Sequence, residues 1–248
     1  MNSILNIFLL SLFAGLATGI GGLIAMIGKP GKKLFGFLMG LTAGVMITLS
    51  FLELVNESWK LSGYLTTTIG FALGALFMFL IDFFIPHIHF KEKENNVVDS
   101  KLFKTGVLTA MGIAIHNIPE GIAIGAGFML APKFGIFVAI AIALHNIPEG
   151  IATALPLCKS GLCKWKSFKV ALFSGLVEPI GALIAAIFLV SYTGLIPYAL
   201  AFAGGVMVFI TLDEIIPCAR EHGHHHLTAL GIIIGAILVF LLAGIFGV

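Results

Sequence analysis

The hexapeptide HNIPEG occurs at residues 116–121 and again at 145–150. Each copy brings together an imidazole, an amide, a proline and a carboxylate. On a helix, residues four apart differ by only about 40° in azimuth, so His116 and Glu120 share a face. Asn117 stands one turn before Glu120, within reach of the same face. The second copy repeats the set with His145, Asn146 and Glu149. Neutral imidazole, carboxylate and amide oxygen suit Zn²⁺ and other first-row divalent ions. Two such helices packed antiparallel bring the six side chains together, and carboxylates lying between two ions can bridge them. Glu178, followed by Pro179, repeats the acid-and-proline theme and offers a further ligand.

The prolines add a second feature. Pro119 cannot donate to the carbonyl of Ile115, nor Pro148 to that of Leu144, so a carbonyl is freed just before each histidine. A helix broken at that point is tolerated in a membrane where it lines a hydrated cavity. The glycines that follow, Gly121 and Gly150, allow close helix approach.

The elements that must position these groups are apolar. Hydrophobic residues make up 59% of the 248-residue chain and charged residues 10%, with a mean hydropathy of +1.10. A soluble chain of this composition would have too little polar surface, so a polytopic membrane protein is expected. Eight stretches are long enough to span a bilayer as helices: 4–27, 34–55, 63–86, 103–129, 134–157, 169–191, 195–217 and 227–247. The expected fold is all-α, one transmembrane domain over residues 1–248. No cleaved signal peptide is expected, because the N-terminus lacks a basic leader. Cys158, Cys163 and Cys218 form no disulfide framework and read as free thiols.

Of the 14 Lys and Arg residues, 12 fall in or beside alternate connections, among them Lys29, Lys91, Lys93, Lys164 and Arg220. Only Lys60 and Lys133 lie on the other side. The basic side faces the cytoplasm, which leaves both termini outside. Histidines cluster at the membrane edge on that cytoplasmic side, His87 and His89 in one connection and HGHHH at 222–226 in another.

Internal repetition supports a layout of three spans, a central pair and three more. The HNIPEG copies lie on consecutive, hence antiparallel, spans. Residues 42–54, TAGVMITLSFLEL, also align with 203–215, AGGVMVFITLDEI, on the second and seventh spans. Inverted repeats of this kind are common in secondary transporters. Seven carboxylates fall within the predicted spans: Glu53, Asp82, Glu120, Glu149, Glu178, Asp213 and Glu214. No Lys or Arg is placed at that depth. An isolated charge near the bilayer centre costs about 2.5–3.5 kcal/mol, so acids without a basic partner point to a cation path.

The paired HNIPEG motifs, with EPIGA at 178–182, resemble the Zrt/Irt-like (ZIP) metal-ion transporters, particularly their bacterial zinc-uptake branch. The resemblance implies import of Zn²⁺ as the transported substrate, with Fe²⁺, Mn²⁺ and Cd²⁺ as further cargo, across the cell (inner or plasma) membrane. It also implies a binuclear site between the fourth and fifth helices. One ion would be held by His116, Glu120, His145 and Glu149. The other would use Asn117, Glu120, Asn146, Glu149 and Glu178, the glutamates bridging. The partners expected are divalent ions, the lipid bilayer and a second copy of the chain as a homodimer; no basic run suggests nucleic acid. The rival reading is an intramembrane zinc-dependent hydrolase, since a buried metal with an open position activates water. Against it stand the lack of an HExxH motif and of a Ser or Cys nucleophile motif.

Overall fold

A computed structural model of the chain describes residues 2–28, 31–84 and 100–248. Lys29, His87, His89, Lys91 and Lys93 lie outside the described residues. The elements are helical, as they must be where no water satisfies the backbone. They are α1 (Asn2–Ile27), α2 (Lys32–Thr48), a π-helical stretch Leu49–Val55, α3 (Asn56–Phe84), α4 (Ser100–Leu130) and α5 (Pro132–Lys159). Then come α6 (Lys164–Gly175), α7 (Glu178–Ser191), α8 (Ile196–Ile210), a second π-helical stretch Thr211–Ile215, α9 (Ile216–His222) and α10 (His225–Phe246). Proline opens α5, α7, α8 and α9, where its missing N–H is no loss.

Among the described residues, seven helical runs are long and apolar enough to cross a membrane, not eight. The difference lies in Lys32–Phe84, a single run of 53 residues. A straight helix of that length would measure about 80 Å, against a hydrocarbon core of about 30 Å. The run is not straight. Gly63 has φ 74° and ψ 179°, a conformation open almost only to glycine. Beyond it Thr67 Oγ1 donates to the Gly63 carbonyl at 3.0 Å and lies 2.9 Å from Ser58 Oγ. Residues nine apart would be about 13 Å apart along a helix, so the chain doubles back here. The predicted sixth span is likewise two helices, α6 and α7, separated by Leu176 and Val177. Hydropathy does not register that interruption, because both residues are apolar.

Four helix pairs run parallel at close range, with glycine at each contact. On α1 and α5, a Cβ at Gly150 would lie 1.9 Å from the Thr18 carbonyl oxygen. On α4 and α7, a Cβ at Gly121 would lie 2.0 Å from that of Glu178. Gly40 and Gly44 of α2 meet Thr228 and Ile232 of α10, and Gly70 and Gly74 of α3 meet Tyr198 and Phe202 of α8. Two bundles result. One holds α1, α4, α5, α6 and α7; the other holds α2, α3, α8, α9 and α10. They meet where α4 touches α8 and α5 touches α2. The interior is made of small residues with a few large ones, such as Phe137, Met39 and Met46, that are fully buried. Rows of exposed apolar side chains line the outside, for example Leu5, Leu9, Phe13 and Ile20 on α1 and Ile233, Ile237 and Phe240 on α10. The chain is an integral membrane protein, and its three cysteines are free thiols.

Candidate metal centre

Both HNIPEG copies sit near the middle of their helices, α4 and α5. These helices run unbroken through Pro119 and Pro148, contrary to the expectation of a break there. A proline removes one backbone hydrogen bond, and the close packing of α7 on α4 and of α1 on α5 keeps the helical path. The interruption lies instead at residues 176–177, just before Glu178. Glu178 therefore begins α7, where the partial positive charge of the helix start favours a carboxylate.

All seven predicted ligands are fully buried: His116, Asn117, Glu120, His145, Asn146, Glu149 and Glu178. The two central helices are bonded crosswise. His116 Nε2 donates to Glu149 Oε2 at 3.1 Å, and His145 Nε2 donates to Glu120 Oε1 at 2.9 Å. Each carboxylate is thus held by the imidazole of the other helix. The amides are oriented by their nitrogen ends. Asn117 Nδ2 donates to the Ser174 carbonyl at 2.8 Å. Asn146 Nδ2 donates to the Ala14 carbonyl at 3.0 Å and to Glu178 Oε2 at 2.8 Å. Turned this way, both amides leave their oxygens uncommitted.

Five buried oxygens of these residues have no hydrogen-bond partner: Asn117 Oδ1, Asn146 Oδ1, Glu120 Oε2, Glu149 Oε1 and Glu178 Oε1. The two histidine Nδ1 atoms are also unpaired. A buried polar atom left unpaired costs about 1–3 kcal/mol. Five acceptors with three carboxylates among their owners call for a cation. Among the described residues no Lys or Arg is buried to supply one. One donor atom each from His116, Glu120 and Glu149 lie within 4.8 Å of one another, close enough to share an ion.

The remaining acids divide. Glu53 is buried on the first π-helical stretch. Asp82 and Glu214 are half-buried, and Asp213 is exposed. Glu214 reaches α4, where a Cβ on Gly112 would lie 3.4 Å from its Oε2. The histidines at 224–226 are exposed. Two further participants carry no sequence signal: the Ala14 and Ser174 carbonyls orient the amides, and backbone groups leave no side-chain mark. Thr18 on α1 is also fully buried with its Oγ1 unpaired.

A family profile described as ZIP Zinc transporter matches residues 86–243, which include the whole central site. The chain belongs to the ZIP zinc transporter family. Its curated relatives match over nearly their full length. A zinc transporter ZupT of Oceanobacillus iheyensis is 41% identical over 260 residues, covering 96% of this chain and 97% of the relative. One from Lysinibacillus sphaericus is 42% identical over 254 residues, with 94% of each covered. One from Chlorobium limicola is 39% identical over 246 residues. ZIP membership accounts for a site whose oxygens converge in the middle of the helices, and these relatives are named as transporters, not as hydrolases.

Proposed function

We propose that this ZIP protein imports Zn²⁺ into the cytoplasm through the site between α4 and α5. The observation that carries the reading is the set of five unpaired oxygens, buried among apolar helices with no buried Lys or Arg among the described residues. His116, Glu120, His145 and Glu149 hold one ion. Asn117, Glu120, Asn146, Glu149 and Glu178 hold a second, with the two glutamates bridging. Fe²⁺, Mn²⁺ and Cd²⁺ are further cargo, since imidazole and carboxylate accept each of them. Purified protein in liposomes should take up zinc from the medium faster than empty liposomes, with those ions competing. Zinc binding without flux would remove the transport reading and leave a metal sensor.

The layout is one domain of eight crossings in an inverted 3+2+3 repeat, with the long run Lys32–Phe84 crossing twice. Its support is the reversal at Gly63 and the pattern of parallel pairs. Exchanging the first three spans for the last three, and the fourth for the fifth, maps the set of pairs onto itself. Residues 11–27 also match 171–187 without gaps, identical at 10 of 17 positions. The lysine distribution places the α5–α6 connection in the cytoplasm of a cell whose plasma membrane holds the protein. Cys163, exposed in that connection, reports the orientation. With Cys158 and Cys218 replaced by serine, a membrane-impermeant thiol reagent should label inside-out vesicles and spare intact cells. Labelling of intact cells would invert the topology.

A further inference from the structure

The centre has a second side. Asn146 of α5 is held by the Ala14 carbonyl of α1, and Asn117 of α4 by the Ser174 carbonyl of α6. A Cβ at Gly21 of α1 would lie 1.9 Å from the carbonyl oxygen of Ile147, and one at Gly181 of α7 would lie 2.0 Å from that of Ile118. Gly150 meets the Thr18 carbonyl as Gly121 meets that of Glu178. Gly15 and Gly175 abut each other, each with a Cβ position 2.2–2.3 Å from the other's carbonyl oxygen. In every case the outer residues are 160 apart and the central ones 29 apart. One local two-fold relation covers all these contacts. It pairs Ala14 with Ser174, Gly21 with Gly181, and Thr18 with Glu178. The aligned segments agree: LATGIGG at 16–22 lies against LVEPIGA at 176–182.

We infer that Thr18 is a selectivity-determining ligand of the metal centre, the neutral counterpart of Glu178. This rests on the proposed metal site. Glu178 accepts from Asn146; the same two-fold relation puts Thr18 on the Asn117 side of the centre as Glu178 stands on the Asn146 side. Threonine is shorter than glutamate and makes no such bond. Thr18 Oγ1 and Asn117 Oδ1 are both buried and both unpaired, which leaves two neutral oxygens for an ion or its bound water. The Thr18 hydroxyl lies close against Gly175, next to the Ser174 carbonyl that holds Asn117: a Cβ on Gly175 would lie 2.8 Å from its Oγ1. A hydroxyl is a hard oxygen donor, and it favours hard ions over soft ones. It therefore tilts the site toward Mn²⁺ relative to Cd²⁺, where a second carboxylate in its place would bind all divalent ions more tightly.

The test is calorimetric titration of purified full-length protein with Zn²⁺, Mn²⁺ and Cd²⁺. Thr18→Val keeps the shape and removes the oxygen; Thr18→Ser keeps the oxygen. Thr18→Val should weaken Mn²⁺ by about 10-fold, the scale seen when a partner around a metal site is lost. Cd²⁺ should change by less than about 3-fold, and Thr18→Ser should restore the ratio. An unchanged Mn²⁺-to-Cd²⁺ ratio in Thr18→Val overturns the inference, and so does a Thr18→Ser protein that behaves like Thr18→Val. Wild-type protein that binds none of these ions overturns the metal site itself, and this inference with it. The two failures are therefore distinct.

Discussion

Replacing Glu149 or Glu120 with alanine lowers zinc uptake by at least about 100-fold, a loss of about 2.7 kcal/mol or more in ion binding. Each carboxylate has one oxygen bonded to the histidine of the opposite helix and one oxygen unpaired. Alanine removes both at once. On the proposed two-ion site the ion loses a bridging ligand, and the opposite imidazole is left buried without its acceptor. The two variants should be equivalent, because the crosswise bonds make the carboxylates structurally interchangeable. Radioactive zinc uptake into liposomes measures the effect, with gel filtration confirming that each variant remains a monodisperse particle. Uptake at the parental level in either variant would remove the central site from the transport path.

The second large effect comes from residues that bind nothing. Gly121→Ala and Gly150→Ala each insert a methyl group where a backbone carbonyl oxygen lies 2.0 Å or 1.9 Å away. The obstacle is main chain on the neighbouring helix, so no side chain can swing aside. Helix α7 must move away from α4 in the first case, and α1 from α5 in the second. Overpacking of this kind costs about 1–3 kcal/mol. It also draws Glu178 or Thr18 away from the proposed ion site, so zinc affinity should fall by about 10-fold or more. Gly244→Ala is the control: a Cβ there has nothing within 4 Å, and both thermal unfolding and zinc binding should match the parent. If Gly121→Ala melts and binds zinc as the parent does, the tight α4–α7 contact is not a feature of the working protein.

The chemistry of the centre was legible because it is written in side chains at helical spacing. Two copies of HNIPEG singled out six side chains, and Glu178 with Pro179 a seventh, and all seven are fully buried in the structure. The break before Glu178 was not legible, since Leu176 and Val177 are as apolar as a continuous span would be. The prolines at 119 and 148 suggested breaks that tight packing suppresses. The reversal at Gly63 hid in a run with no polar gap, where one glycine conformation makes the turn. Thr18 was passed over because a lone threonine in an apolar helix carries no charge. Its significance appears only when 11–27 is set against 171–187 and the shared contacts are traced in space.

The seven predicted ligands and Thr18 all belong to one of the two bundles. His116, Asn117 and Glu120 ride on α4; His145, Asn146 and Glu149 on α5; Glu178 on α7; Thr18 on α1. The other bundle contributes Glu214 beside Gly112 and Thr42, whose Oγ1 donates to the His145 carbonyl at 3.4 Å. A slide of one bundle along the other, a shear of packed helices, would therefore carry an ion held by these donors without changing them. The energetic cost of such a crossing would fall on the seam between the bundles, where α4 touches α8 and α5 touches α2, and not on stripping the ion from one set of ligands to reach the next.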